Sequence, residues 1–339
     1  MVWLQYLACL VIILFAGTKL ARYGDAIGEK TGVGGLWIGL VLLAAITSVP
    51  ELVTGVSSAA LVDRPDGNPD LAMGTLLGSC LFNLAILALL DILYRPAPIL
   101  SVAHLRHVAS AGVGILLIGI AALSIWVGER FFGLALGWVG IPSVIILILY
   151  LVAVRQMFRF ERSHPVPPEA ASPKYAGIPL KTVCFRFTLA AIAVIGAGIW
   201  VSFVGDEIAG TYAWSANFVG SLFLAISTSL PELVVTIAAL RLGALDMAVA
   251  DILGSNMFNI AIIFAVDLFY TSGSILASVS SAHIITAVLA MVMSLLVIMG
   301  LRFRQKRKTF FVISWYSLVL IGLYILGVYA LFTSGVGLG

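Results

Sequence analysis

Long apolar runs, broken at glycine, proline and clusters of charge, fill almost the whole chain. They predict helices near 2–20, 34–61, 71–94, 108–127, 133–157, 183–204, 215–240, 247–270, 281–301 and 310–332. One helical span of a bilayer needs roughly 20 apolar residues, so the pattern has room for ten spans and little else. Membrane-spanning strands would read as short segments of alternating polarity, and these runs are continuous. The expected fold is therefore an all-α polytopic membrane protein with ten transmembrane helices. No basic residue precedes the first run and no A-x-A site follows it, so it is expected to be a span rather than a cleaved signal.

Composition sharpens this reading. The chain has 339 residues, 61% apolar and 10% charged, with a mean hydropathy of +1.13. Soluble domains run at about 45–50% apolar and about 25% charged, so a sizeable soluble catalytic or regulatory domain is excluded. A net charge of +3 does not suggest a nucleic-acid partner, and its distribution says more than its value. Cys9, Cys80 and Cys184 lie in apolar stretches without metal-ligand spacing and read as small hydrophobic residues. With ten spans the loops alternate between two sides, and seventeen of the nineteen Lys and Arg residues fall on one of them; only Arg64 and Arg130 fall on the other. Basic residues accumulate in cytoplasmic loops. Both termini are therefore expected outside and the loop at 158–182 inside. That loop carries Pro165, Pro167, Pro168, Pro173 and Pro179 and reads as a poorly ordered linker between two five-helix halves, 1–157 and 183–339.

The halves repeat each other. Gly39, Leu43-Ala44 and Thr47-Ser48-Val49-Pro50-Glu51-Leu52-Val53 match Gly220, Leu224-Ala225 and Thr228-Ser229-Leu230-Pro231-Glu232-Leu233-Val234 at an offset of 181. Leu77-Gly78-Ser79, Phe82-Asn83 and Ala85-Ile86 match Leu253-Gly254-Ser255, Phe258-Asn259 and Ala261-Ile262 at an offset of 176, a register that runs on to Asp91 and Tyr94 against Asp267 and Tyr270. The first copy occupies about 34–94 and the second about 215–270. Each helix of the second copy lies five spans after its match in the first, so the copies have opposite orientation, an architecture of many secondary transporters.

Pro50 and Pro231 interrupt apolar helices. Each removes a donor and leaves a carbonyl four residues earlier, at Ile46 or Ser227, free for another partner. Alone each reads as a packing kink. Here each is followed by a glutamate at membrane depth, where an acid costs about 2.5–3.5 kcal/mol or more, so two acids without basic neighbours call for a cation or protons. Thr47 and Glu51 share a helix face, as do Thr228 and Glu232, and the spacing recurs in Ser79 with Asn83 and Ser255 with Asn259. The inventory is all hard oxygen, which suits Ca²⁺ or Na⁺ and not a soft metal. His104, His107, His164 and His283 fall in loops or near helix ends and read as structural or solvated. Asp91 and Asp267 read as interfacial, Asp251 as a helix cap, and the acidic groups Asp63, Asp66, Asp70 and Asp206, Glu207 as solvated loops.

Both copies resemble the α-repeats of the sodium/calcium exchanger branch of the cation/Ca²⁺ antiporter superfamily: T-S-x-P-E-L, then G-S-x-x-x-N. The resemblance spans nearly the whole chain. It implies ten helices in two inverted five-helix repeats with broken helices 2 and 7, and electrogenic Na⁺/Ca²⁺ exchange by alternating access. Carried onto this sequence, it implies Glu51 and Glu232 as central ligands and Thr47, Ser48, Thr228 and Ser229 as donors of carbonyl or hydroxyl oxygen. Ser79, Asn83, Ser255 and Asn259 would complete the set. Many members carry Asp in one repeat where Asn83 or Asn259 stands, which implies two negative charges rather than three. Cys80 replaces an Asn, and Thr75 and Asp251 stand where a Gly-Asn pair leads in. An H⁺-coupled antiporter is the nearest alternative. An ion channel fits broken inverted repeats less well, and an intramembrane aspartyl hydrolase would need paired aspartates. The expected partners are inorganic cations and the lipid bilayer, with no cofactor, nucleic acid or protein partner.

Overall fold

The computed structural model describes residues 1–60, 68–128, 135–163, 174–211 and 224–333. The first helix, α1 (Val2–Thr31), continues well past its predicted end. Lys19, Arg22 and Asp25 end the apolar run, but charge at an interface does not end a helix. Gly32, with φ 68°, does: its N–H donates to Gly28 O in a left-handed cap.

The second predicted segment is broken, as its proline suggested. Helix α2 (Gly35–Thr47) meets α3 (Val49–Ala60) at a bend of 41°, and within α2 residues Ile38–Leu43 form a π-helical turn. Helix α4 (Pro69–Leu93) starts with proline in its first turn, and the Asn68 side chain accepts the Leu71 N–H at 3.0 Å. A short α5 (Ile99–Val102) leads to α6 (His107–Val127). The fifth segment begins later than predicted, because a small hairpin of β1 (Ala135–Leu136) and β2 (Val139–Gly140) precedes α7 (Ile141–Ser163).

In the second half come α8 (Leu180–Thr211) and α9 (Leu230–Arg241), then α10 (Leu245–Phe269), α11 (Ile275–Ser278), α12 (His283–Arg302) and α13 (Trp315–Thr333). Residues 224–228, before α9, are also helical; the earlier part of the predicted seventh segment, with Gly220, lies outside the described residues. Among the described residues α1, α4, α6, α7, α8, α10 and α12 are long and apolar enough to cross a membrane, and the bent α2–α3 pair makes an eighth. Outward-facing Phe15, Trp126, Phe185 and Tyr329 suit a lipid surface.

The linker is less free than its prolines suggested. Residues 158–163 continue α7, and the Lys174 and Tyr175 N–H groups each donate to the Glu29 carboxylate at 3.1 Å. The Tyr175 hydroxyl donates to Asp25 at 3.0 Å. Residues 164–173 lie outside the described set, as do His164, Asp63, Asp66, Arg64 and Arg130.

Helices α4 and α10 are the most enclosed, and α10 packs on α2, α3, α4, α6 and α7. Contacts between the halves come in matched pairs. His107 Nε2 lies 2.8 Å from Asp246 Oδ1, and His283 Nε2 lies 3.0 Å from Asp70 Oδ1. The same two aspartates accept backbone N–H groups, from His104 and from Ser280, each at 2.7 Å. Every partner in one set is the other set's partner at the 176 offset. His107 and His283 are buried, while His104 is exposed.

Candidate cation-binding centre

The two helix breaks carry the site. At each, the proline lacks an N–H, so the regular ladder is interrupted and then resumes: Ser48 N–H donates to Ala44 O and Leu52 N–H to Ser48 O, and Ser229 and Leu233 do the same with Ala225 and Ser229. Pro50 and Pro231 both approach Gly198 of α8, so the breaks lie side by side. Glu51 and Glu232, in the first turns of α3 and α9, are fully buried.

The glutamates are held reciprocally. Ser48 Oγ donates to Glu232 Oε1 at 2.8 Å, and Ser229 Oγ donates to Glu51 Oε1 at 3.0 Å. Ser79 Oγ from α4 reaches Glu51 Oε1 at 3.3 Å and lies 3.5 Å from Thr228 Oγ1. Thus Glu51, Ser79, Thr228 and Ser229 form one hydrogen-bonded set, and Ser48 with Glu232 a second. Thr47 is buried beside them, but its hydroxyl donates to its own helix, to Leu43 O at 3.1 Å and Ala44 O at 3.4 Å. Thr228 likewise donates to Ala225 O.

The remaining expected residues, Ser255, Asn83 and Asn259, are fully buried on α10 and α4 and form no hydrogen bond to either set. Their side chains are instead orphaned, together with Glu51 Oε2 and Glu232 Oε2. A buried polar atom without a partner costs about 1–3 kcal/mol. Such atoms, on helices packed against α3 and α9, are ones a polar ligand would complete, and their oxygens suit a hard cation. Among the described residues no three His, Cys, Asp or Glu side chains form one compact metal-holding group, so neutral oxygens must supply most of any coordination shell.

Several residues differ from their sequence reading. Asp91 and Asp267 are not solvated at an interface but fully buried. Asp91 accepts from Ile99 N–H, Ser314 N–H and Oγ, and the Tyr316 hydroxyl at 2.9–3.0 Å, because the chain folds back over the end of α4. Asp267 accepts from Ile275 N–H at 2.7 Å, Gly140 N–H at 2.8 Å and the Ser143 hydroxyl. Lys308, in the loop after α12, lies 3.8 Å from Asp91; burial pushes its ammonium pKa down and Asp91 draws it back up. Asp251 is not a cap: Ala244 holds that position, and Asp251 is fully buried in the second turn of α10. Cys80 does more than fill space: Asn256 Nδ2 donates to Cys80 O at 3.2 Å, and Cys80 Sγ approaches Asn256 O at 3.8 Å.

The chain is similar to known proteins in sequence and in fold. The family model described as "Sodium/calcium exchanger protein" matches residues 1–157 and 182–333. The inner membrane protein YrbG of Escherichia coli is 28% identical over 78% of this chain and 79% of its own. The putative antiporter CaxA of Alkalimonas amylolytica is 25% identical over 88% of this chain and 89% of its own. A structure of the sodium-calcium exchanger NCX_Mj, soaked with Na⁺ and Sr²⁺, superposes with a TM-score of 0.73 at 21% identity, covering 97% of this chain and 99% of that one.

Proposed function

The chain belongs to the sodium/calcium exchanger protein family, a family of membrane antiporters rather than enzymes, and from that premise we propose that it exchanges Na⁺ for Ca²⁺ by alternating access. The observation that carries this reading is the reciprocal hold of Ser48 on Glu232 and Ser229 on Glu51, with one oxygen of each glutamate left free. Two carboxylates neutralise one Ca²⁺, and the hydroxyl and amide oxygens of Ser79, Ser255, Asn83 and Asn259 extend its shell toward the 6–8 ligands Ca²⁺ takes. Thr47 and Thr228 contribute through backbone carbonyls, since their hydroxyls are engaged within their own helices.

The exchange of matched contacts between the halves supports two inverted five-helix repeats with broken helices 2 and 7. In this arrangement the centre lies where the halves meet, and rocking one half against the other opens it to alternate sides. The basic-rich loops lie in the cytoplasm and both termini outside. Purified protein in liposomes loaded with Na⁺ is expected to take up ⁴⁵Ca²⁺ when the outside is Na⁺-free. Uptake driven as well by a pH gradient with Na⁺ absent would replace this reading with H⁺ exchange.

A further inference from the structure

The connection between α12 and α13 concentrates positive charge. Arg302, Arg304, Lys306, Arg307 and Lys308 place five basic groups within seven residues, and no acidic residue follows Asp267 in the chain. Lys308 turns inward, donating to the Asp91 carbonyl and, at 3.0 Å, to the Val312 carbonyl. Arg302, Arg304, Lys306 and Arg307 are exposed, and among the described residues none of the four forms an ion pair. Arg95, exposed between α4 and α5, is near enough for its charge to act on Lys308.

The backbone carrying these groups is pinned. Gln305 N–H donates to Ser101 Oγ of α5 at 3.0 Å, Phe310 N–H to Ile313 O at 3.0 Å, and Ser314 N–H to Asp91 at 2.9 Å. The turn from Phe310 to Ile313 holds Phe311 fully exposed at a φ of 50°, and Phe303 and Phe310 are exposed as well. A phenylalanine there is disfavoured by its backbone and by water alike, unless the ring has an apolar surface to meet. The fold does not require the charge. Helices α6 and α12 are matched at the 176 offset, so the α6–α7 connection is the counterpart, and over 128–140 its charged residues are one acid, Glu129, and one base, Arg130. A bias of basic residues toward one side asks for charge near span ends, not for exposed aromatic rings among it.

We propose that this loop binds an anionic phospholipid of the adjacent leaflet. Arg302, Arg304, Lys306 and Arg307 take its phosphate headgroup, while Phe303, Phe310 and Phe311 enter the boundary between headgroups and acyl chains. Guanidinium groups hold phosphate oxygens through paired N–H donors, and lysine adds a point charge. Both flanking helices are apolar, which sets the loop at headgroup level, where basic clusters beside a span attract anionic lipid. A free anion or an acidic protein uses the charges but leaves the rings in water, so the lipid is the occupant that satisfies both. The proposal does not depend on which ion is exchanged.

The test offers purified, delipidated protein equal amounts of phosphatidylglycerol and phosphatidylcholine with identical acyl chains, and counts bound lipids by native mass spectrometry. Phosphatidylglycerol is expected to be preferred about tenfold. Replacing Arg302, Arg304, Lys306 and Arg307 together by Gln brings the two lipids near parity. The milder pair Arg304→Gln with Lys306→Gln gives an intermediate loss, and decides the matter if the fourfold variant does not purify. Phe310→Ser with Phe311→Ser weakens phosphatidylglycerol binding about threefold or more. Replacing Arg155, Arg159, Lys181 and Arg186, exposed on α7 and α8, by Gln removes as much charge and leaves the preference in place. A preference that survives both loop variants would overturn the proposal. So would an equal loss in the α7–α8 variant, which would reduce the effect to overall charge. Displacement of the lipid by an equal charge of inorganic phosphate or poly-glutamate would overturn it too, because neither engages the rings.

Discussion

At the scale of single residues, charge and hydrogen bonding at the centre make separable contributions. Glu51→Gln or Glu232→Gln leaves a divalent ion under-neutralised in a low-dielectric cavity. Each is expected to abolish Na⁺-driven ⁴⁵Ca²⁺ flux while the protein remains monodisperse, because a lone buried acid burdens the fold rather than supporting it. Near-normal flux in both would remove the centre from the mechanism. Ser48→Ala and Ser229→Ala each delete one hydrogen bond to the opposite glutamate. A bond to a charged group is worth about 1.5–3 kcal/mol, so Ca²⁺ half-saturation is expected to rise about 10- to 100-fold, similarly in both, without loss of maximal rate. Asp91→Asn and Asp267→Asn should behave in the opposite way. Asn cannot accept with its NH₂ group, so at least one buried donor loses its partner, and thermal stability in detergent is expected to fall by about 1–3 kcal/mol with ion affinity little changed. These residues mark the limit of reading sequence. The doubled T-S-x-P-E motif was enough to pick out Ser48, Glu51, Ser229 and Glu232. Asp91 was misplaced because nothing local says that Ser314 and Tyr316, more than 200 positions away, close over it.

At the scale of elements, proline and periodicity were legible and backbone irregularities were not. Pro50 and Pro231 announced the broken helices. The π-turn at Ile38–Leu43 and the β1–β2 hairpin leave no signal in hydrophobic pattern, because a π-turn keeps the same apolar residues and two-residue strands are too short to alternate. The π-turn nevertheless positions a close crossing. A Cβ on Gly254 of α10 would collide with the backbone of Leu40, and backbone cannot move aside as a side chain can. Its repeat partner Gly78 would meet only the Ala225 Cβ, at 3.3 Å. Gly254→Ala is therefore expected to cost about 1–3 kcal/mol of stability and to suppress flux, while Gly78→Ala is far milder in both. Equal effects in thermal melts would show that the crossing is looser than this packing implies.

At the scale of the molecule, the repeat is written in contacts as well as in letters. His107–Asp246 with His104, and His283–Asp70 with Ser280, are one arrangement made twice with the halves exchanged. Sequence offers the two offsets but cannot tell that the matched residues meet across halves rather than within them; only the packing of α4 against α12 and of α6 against α10 supplies that. If the halves are inverted, the two His–Asp pairs sit at opposite membrane faces, and the basic bias says which is which. The Arg106 and Arg241 end belongs to the cytoplasm. Single cysteines test this in a Cys184→Ser background, since Cys9 and Cys80 are buried and Cys184 alone is exposed. Gly177→Cys, at an open position on the basic-rich side, is expected to react with a membrane-impermeant maleimide only after the membrane is opened from within. Leu136→Cys, exposed on β1, should react in intact cells. Labelling of both from one side would break the inversion itself. Labelling with the two sides swapped would keep the inversion but reverse its orientation.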